Sequence, residues 1–293
     1  MAGIFNGAGV AIVTPFYEGG VNWDVLGCLV DRQLEAGVSA IIVIGTTGEA
    51  ATMTEQERLS VAKYCVNRVD GRVPVIVGAG GNDTATSVKT AGKMCDAGAD
   101  ALLVVTPYYN RPTQDGLVRH FTAVADASSV PVMMYNVPKR TGVNMLPETA
   151  RRLKCHPRIV AYKEASDSIE QLAKDVTLLS PEIDVYAGND GMTLAALAVG
   201  AKGVVSVAAN VDPWSVAALC EAFNLGDTDM AQELQSRISH LSAALFCESS
   251  PIPCKAALEL LGFPVGLPRL PLTPITDAAR EFLALTLREL GLR

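Results

Sequence analysis

Eight short runs of β-branched and other apolar residues alternate with longer segments of helical periodicity along the first three quarters of the chain. This alternation is typical of βα units around a parallel sheet. Eight such units fit a closed (β/α)8 TIM barrel, an α/β fold, better than an open, doubly wound sheet. The predicted strands centre on residues 10–13, 40–44, 75–78, 101–105, 132–135, 159–162, 184–187 and 204–207.

Turn and cap signals support this assignment of elements. Gly37, Gly98 and Gly200 each stand between a helical pattern and the next strand, as glycines that end helices do. Thr54 and Glu57 have the spacing of a capping box, which predicts a helix start after the second strand.

The strand pattern stops near residue 227, and only helical periodicity follows. We therefore predict a catalytic barrel over residues 1–226 and a C-terminal helical domain over residues 227–293, whose role would be packing on the barrel and on other subunits. Thr273 and Pro274 predict the N-cap and first residue of the last helix. The three predicted helices cover residues 230–246, 254–261 and 275–290.

Charge and hydropathy exclude two classes of partner. The net charge of −7 and the lack of a basic cluster argue against nucleic acid. No uninterrupted apolar stretch approaches the length of a membrane span, so no membrane partner is expected. The first 16 residues lack a basic segment followed by a cleavage site, which predicts a cytoplasmic protein.

The sequence does not predict a metal site. The seven cysteines form no C-x-x-C pair, and the three histidines are far apart. These spacings do not match those of zinc ligands. A metal-free protein with reduced thiols is the expectation.

Lys163 ends an apolar run and is a candidate covalent nucleophile. A free lysine amine is almost fully protonated at neutral pH, and burial at a strand end would favour the neutral amine that attacks a carbonyl. The competing interpretation is a structural lysine paired with a carboxylate such as Glu164.

Polar residues follow the other strands at the end where barrel enzymes carry their active sites. Thr46 and Thr47, in a glycine-bounded turn, suit a small carboxylate, although an ordinary turn is an alternative. Tyr135 could relay protons or simply fill the barrel. Arg140 could hold a second carboxylate or be a solvated loop residue. The glycine-rich residues 78–81 lack a dinucleotide fingerprint and are predicted to be a structural turn.

Four motifs together resemble those of the dihydrodipicolinate synthase family, within the N-acetylneuraminate lyase superfamily. The resemblance runs from end to end, with the motifs in the family's order and spacing. They are Gly-Thr-Thr-Gly-Glu at 45–49, Thr-Pro-Tyr-Tyr-Asn-Arg-Pro at 106–112, Tyr-Asn-Val-Pro-Lys-Arg-Thr-Gly at 135–142, and Lys-Glu-Ala-Ser at 163–166.

The resemblance implies condensation of pyruvate with L-aspartate 4-semialdehyde to 4-hydroxy-tetrahydrodipicolinate, in diaminopimelate and lysine biosynthesis, without a cofactor. It implies a Schiff base between Lys163 and the pyruvate ketone. The loop of Thr46 and Thr47 would hold the pyruvate carboxylate. Tyr135 would relay protons together with Thr46 and Tyr109.

The resemblance also implies an assembly and an acceptor site. Tyr109 would enter the site of a neighbouring subunit, usually within a homotetramer built as a dimer of dimers. Arg140 would bind the semialdehyde carboxylate, and Gly188 and the main chain at Val205 would line the pocket. Asn189 departs from the aspartate that many members carry.

Two alternatives remain open at this stage. One is another pyruvate-dependent class I aldolase or lyase, acting on N-acetylneuraminate or a 2-keto-3-deoxy sugar acid; Arg140 favours the synthase. The other is a binding protein that has lost the chemistry.

Ser250 stands where many members carry asparagine. Arg58 and Thr86 differ from lysine-inhibited members and predict weak or no lysine inhibition.

Overall fold

The computed structural model describes residues 3–293 and contains a closed barrel of eight parallel strands, which confirms the predicted fold. The strands pair in chain order, and β1 closes the barrel by pairing with both β2 and β8. They are β1 Gly7–Ala11, β2 Ala40–Val43, β3 Val75–Gly78, β4 Ala101–Val105, β5 Val132–Asn136, β6 Ile159–Glu164, β7 Asp184–Ala187 and β8 Gly203–Ser206.

Two strands differ from their predicted bounds in ways that matter for the site. β1 begins at Gly7, three residues before the predicted start. Gly7 and Gly9 interrupt the apolar pattern from which a strand is predicted. A Cβ atom on Gly203 would lie 1.9 Å from the Gly7 carbonyl oxygen, so this seam of the barrel requires glycine. β6 continues to Glu164, which places Lys163 inside the strand.

Helices follow the strands around the outside of the barrel, and a short hairpin of Phe16–Tyr17 and Gly20–Val21 precedes the first helix. The helices are α1 Trp23–Glu35, α2 Glu55–Val69, α3 Thr84–Asp96, α4 Gln114–Asp126, α5 Pro138–Thr141, α6 Pro147–Arg151, α7 Ile169–Leu179, α8 Thr193–Ala198, α9 Pro213–Leu225, α10 Thr228–Leu245, α11 Ile252–Leu260 and α12 Asp277–Glu289.

Local signals placed most helix ends correctly. The Thr54 capping box is present, and Gly37, Gly98 and Gly200 all have positive φ. The predicted start of the last helix at Thr273 is wrong, because the N-cap is Thr276. The Thr276 backbone amide and hydroxyl both donate to Glu248, and this contact fixes the cap three residues later.

Strand alternation divides the apolar residues between two cores. Inward side chains fill the barrel, and outward ones pack beneath the helices. Tyr186 closes the N-terminal end of the barrel: its ring stacks on Phe5 with centroids 4.3 Å apart, and its hydroxyl donates to the Phe5 carbonyl at 2.5 Å. The opposite end, where the strands terminate, stays open.

The C-terminal helices pack on the barrel and on one another. α10 contacts α9 and the turn Asp190–Met192 that follows β7, and α11 packs against α12. α9 ends at Leu225 and α10 begins at Thr228; the division into domains at residue 226 stays a prediction. Within residues 3–293, none of the helices combines the length and hydropathy needed to cross a bilayer.

Candidate active site

Lys163 and Tyr135 face each other inside the open end of the barrel. They are partners in the register of β5 and β6, and each is about 95 % buried, with exposures of 5 % and 6 %. The Lys163 Nζ atom lies 4.3 Å from the centroid of the Tyr135 ring. Glu164 follows Lys163 in an extended strand and therefore points to the outer face, where Tyr162 and Asn136 donate to it. The interpretation of Lys163 as a partner of Glu164 is therefore wrong.

Gly188 makes room for the lysine side chain. A Cβ atom at this position would lie 3.0 Å from the Lys163 Cε atom and 2.5 Å from the Ala165 Cβ atom. A side chain here would also lie 3.0 Å from the Glu164 carbonyl oxygen, so the β6 backbone or the lysine side chain would have to shift. Glycine at the end of β7 is thus a requirement of the lysine's position.

The turn of Thr46 and Thr47 leaves β2 through a strained residue. Ile44 has a φ of +57°, which is a rare conformation for a β-branched side chain. The Ile44 carbonyl points at Gly78, and there is room for it only because Gly78 lacks a side chain. A Cβ atom on Gly78 would lie 2.0 Å from the Ile44 carbonyl oxygen. Residues 78–81 thus have the structural role that was predicted. Strain of this kind concentrates at functional sites.

A cavity of about 520 Å³ opens above these residues at the C-terminal end of the barrel. Thr47 is buried and Thr46 is half-buried in its wall. Six of the eight predicted site residues line the cavity: Thr46, Thr47, Tyr135, Arg140, Lys163 and Gly188. Val205 is fully buried in the barrel interior, and Val207, two residues further, lines the cavity instead.

Charged and amide side chains form the rim of the cavity. The Arg140 Nη2 atom donates to the Ser250 carbonyl at 3.1 Å. Lys139 forms an ion pair with Asp167, whose carboxylate also accepts a bond from Asn189 at 2.7 Å. Arg140 forms no ion pair with a carboxylate within residues 3–293, so its guanidinium is the group best suited to an anionic substrate.

One wall of the cavity comes from α10, which the sequence analysis assigned to packing alone. That assignment is too narrow. Three lining residues of this helix lie on one helical face, at positions i, i+3 and i+4. They are the small residues Ser239, Ser242 and Ala243, and their spacing was the available signal. Phe246, directly after α10, extends the same wall.

Tyr109 lies outside this cavity. It is 88 % exposed on the loop after β4 and has a φ of +72°. A bulky aromatic residue in this conformation, with its ring in solvent, is unusual in an isolated chain.

A second cavity of about 350 Å³ adjoins the first and shares Thr46, Tyr135 and Arg140 with it. Its wall also contains Ala51, Arg58 and Tyr108, whereas Thr86 is on α3 and is not part of the lining. The buried Arg58 Nε atom has no hydrogen-bond acceptor within residues 3–293.

Asp190 supports the far side of the site. Its carboxylate accepts bonds from the backbone amides of Val207 at 2.9 Å and Ala208 at 3.1 Å, and from the Ser206 hydroxyl. Burial raises the pKa of this carboxyl, while these hydrogen bonds and the charge of Lys163 act in the opposite direction. Within residues 3–293, no group of three or more His, Cys, Asp or Glu side chains is arranged to hold a metal ion.

The model of the dihydrodipicolinate synthetase family matches residues 4–290. The chain belongs to this family. A curated relative, the 4-hydroxy-tetrahydrodipicolinate synthase of Geobacter metallireducens, is 48 % identical over 98 % of this chain and 99 % of its own length.

Solved structures of the family agree with this membership. The dihydrodipicolinate synthase of Thermotoga maritima superimposes with a TM-score of 0.97 at 42 % identity, over 99 % of this chain and 100 % of its own. A monomeric dihydrodipicolinate synthase variant gives the same TM-score and identity, over 99 % and 98 % of the two chains. The family resemblance drawn from the four motifs is confirmed.

Proposed function

We propose that this protein is a lyase that condenses pyruvate with L-aspartate 4-semialdehyde to 4-hydroxy-tetrahydrodipicolinate, in diaminopimelate and lysine biosynthesis. The observation that carries the proposal is a buried amine, Lys163, which faces Tyr135 at the open end of a barrel in a chain that matches the synthetase family over residues 4–290. The compartment we propose is the cytoplasm.

The chemistry follows from an amine and a phenol beside a keto acid. The Lys163 Nζ atom attacks C2 of pyruvate, and loss of water gives an imine. Loss of a C3 proton gives an enamine, whose carbon attacks the aldehyde of the second substrate. The amine of that substrate then attacks C2, closes the ring and releases Lys163. Tyr135 carries protons at these steps, and no cofactor is needed.

Binding groups for both carboxylates are proposed from the lining of the cavity. Thr46 and Thr47 offer hydroxyls and backbone amides to pyruvate, within the same cavity as Lys163. Arg140 at the rim would hold the semialdehyde carboxylate, so that the aldehyde meets the enamine in a fixed position. Gly188 leaves space for the imine, and the β8 main chain at Val205 supports the pocket floor.

We propose a homotetramer in which Tyr109 completes the proton relay of a neighbouring subunit together with Thr46. Its exposed ring and positive φ favour this role, since the residue has no function in its own cavity. Sedimentation of Tyr109→Phe and of the wild-type protein tests the tetramer, and the turnover of the two proteins tests the relay. A tetramer with reduced turnover in the variant supports the relay; equal turnover contradicts it.

Trapping with borohydride tests the imine directly. Protein incubated with pyruvate and reduced should gain one adduct per chain, located at Lys163 by peptide mapping. Lys255, another buried lysine, is an internal control and should remain unmodified. Lys163→Ala should gain no adduct and lose nearly all turnover. An adduct elsewhere, or none in the folded wild-type protein, would overturn the proposal.

The acceptor separates the synthase from the aldolases of sialic acid and keto-sugar acids. Arg140→Ala should raise the KM for the semialdehyde by at least about tenfold, since a charge-assisted bond is worth about 1.5–3 kcal/mol. The rate of pyruvate trapping should stay within about twofold in this variant. Arg151→Ala, an exposed arginine on α6, is the control. Faster turnover of sugar acids than of the semialdehyde would favour the aldolase.

A further inference from the structure

A buried polar cluster lies behind β5 and β6, on the opposite side of the barrel wall from Lys163. It consists of the side chains of Asn136, Asn144, Glu164 and Gln171, which we call the amide cluster. Asn136 is 0 % exposed and Glu164 is 3 % exposed. None of these side chains lines the proposed active-site cavity.

Hydrogen bonds connect all four members of the cluster. The Asn136 Nδ2 atom donates to Glu164 Oε2 at 3.0 Å and to Asn144 Oδ1 at 2.7 Å. The Gln171 Nε2 atom donates to the same two oxygens, each at 3.1 Å. The Asn144 Nδ2 atom donates to Gln171 Oε1 at 2.8 Å.

The cluster joins the three segments that carry Tyr135, Lys163 and Arg140. Asn136 follows Tyr135 and Glu164 follows Lys163, and both pairs are in register across β5 and β6. Because successive side chains alternate between faces, a bond between the outer pair fixes the offset of the inner pair. The loop after Arg140 is held by the same amide, since Asn136 Oδ1 accepts from the Met145 backbone at 3.0 Å.

We propose that Asn136 and Glu164 are positioning residues, which set the geometry of Tyr135, Lys163 and the Arg140 loop through the bonds of the amide cluster. This inference rests on the proposed function. The Thr46 loop follows β2, and within residues 3–293 no hydrogen bond joins it to the four side chains of the cluster. Loss of the cluster should therefore slow imine formation while the binding of pyruvate stays nearly unchanged.

The test measures the rate and the extent of borohydride trapping separately. The final amount of Lys163 adduct reports the folded fraction, and the rate constant reports the geometry of the amine. Asn136→Ala should lower the rate constant by at least about tenfold, since a misplacement of about 1 Å can cost about a hundredfold. The final amount should stay near one adduct per chain, and the pyruvate concentration at half-maximal rate should change by less than about twofold.

Gln33→Ala is the matched control. Gln33 is a 1 % exposed amide on α1 that donates to the Ala209 carbonyl at 2.8 Å, away from β5 and β6. It should lose a similar amount of stability and keep the wild-type rate constant. If Asn136→Ala does not fold, Asn136→Asp and Glu164→Gln, which preserve side-chain volume, give the same comparison.

An exchanged pair provides a rescue. Asn136→Asp alone places two carboxylates side by side, whereas Asn136→Asp with Glu164→Gln restores a donor and an acceptor in reversed order. The double variant should recover the rate constant to within about threefold of wild type. Rate constants equal to that of Gln33→Ala in every folded cluster variant would overturn the inference. Absence of a Lys163 adduct in the wild-type protein would instead overturn the proposed function.

Discussion

Two buried glutamates stand on either side of the active-site cavity, and their charges are compensated in opposite ways. Glu49 ends the Thr46 turn and accepts a bond from the Lys255 ammonium at 2.6 Å, with both side chains almost fully buried. Glu164 ends the Lys163 strand and receives its bonds from neutral donors: a phenol, two amides and the Ser166 backbone.

A second buried acid, Asp175, lies near Glu164 and affects its charge balance. Asp175, on α7, is 0 % exposed, and neither of its oxygens has a hydrogen-bond donor within residues 3–293. Burial, together with the nearby charge of Glu164, raises the pKa of Asp175 to about 9. Asp175 therefore carries a proton at neutral pH.

The two sides of the site should therefore lose stability under different changes. The Glu49 side depends on a buried cation from the C-terminal helices and on the Arg269 backbone amide, which donates to Glu49 at 2.9 Å. Removal of the cation takes away the buried counter-charge of the carboxylate. The Glu164 side depends on many neutral bonds within the barrel wall and on a proton. Its stability should therefore respond to pH more than to the loss of any one charge.

Removal of the buried cation should give the largest effect. Lys255→Met leaves Glu49 unpaired and should lower the free energy of unfolding by about 3–5 kcal/mol in urea denaturation. Lys174→Met removes an exposed cation from Glu148 and should cost less than about 1 kcal/mol. Addition of Glu49→Gln to Lys255→Met should recover part of the loss. A cost equal to that of Lys174→Met would contradict the importance of the buried charge.

Replacement of the protonated acid should give a smaller effect that depends on pH. Between about pH 4 and 9 the folded protein keeps a proton on Asp175 that the unfolded chain has released. This contribution to stability is complete below pH 4 and declines as the pH rises. Asp175→Asn lacks the titration, so its stability relative to wild type should increase with pH, by up to about 1.4 kcal/mol per pH unit between pH 5 and 8.

The N-cap Asp83 is the control for this prediction. The hydrogen bonds from Thr86 lower the pKa of the Asp83 carboxyl, so it is ionised in both states above pH 5. Asp83→Asn should then show no change of relative stability between pH 5 and 8. A flat profile for Asp175→Asn as well would mean that Asp175 is ionised in the folded protein.

The sequence was sufficient for the barrel and for much of the site, since both depend on local patterns. The apolar run placed Lys163 at the end of the sixth strand, and six predicted residues meet in one cavity. What the sequence could not supply was contact over long separations. Glu49 and Lys255 are 206 residues apart, and the link between Asn136 and Glu164 depends on the strand register.

The ion pair of Arg269 and Glu57 is partly exposed, and it should contribute less to stability than the buried pair of Lys255 and Glu49. Arg269 donates two bonds to Glu57, at 2.6 and 2.9 Å, and these bonds lower the pKa of Glu57 to about 2. Both side chains are about one quarter exposed, at 28 % and 23 %, so Glu57→Gln should cost about 1 kcal/mol at neutral pH.

Acid should remove this contribution. The carboxylate of Glu57 stabilises the fold above its unfolded pKa of about 4.3, and the benefit disappears as the pH falls towards 2. Urea denaturation of the variant and the wild type at pH 7 and 3 should therefore show a smaller difference at the lower pH. A difference that grows in acid would be inconsistent with ionisation of Glu57 as the source.

The smallest effect is expected from added L-lysine. Arg58 lines the second cavity, and its Nε atom has no hydrogen-bond acceptor within residues 3–293. Thr86 supplies no carboxylate for an amino group. The positive charge of Arg58 would repel the amino groups of L-lysine in this cavity. Added L-lysine at about 1 mM should therefore change the rate of the condensation by less than about twofold. L-Norleucine, which lacks the ε-amino group, is the control. A sub-millimolar inhibition constant for L-lysine alone, measured by coupled assay, would show that Arg58 leaves the cavity when a cationic ligand enters.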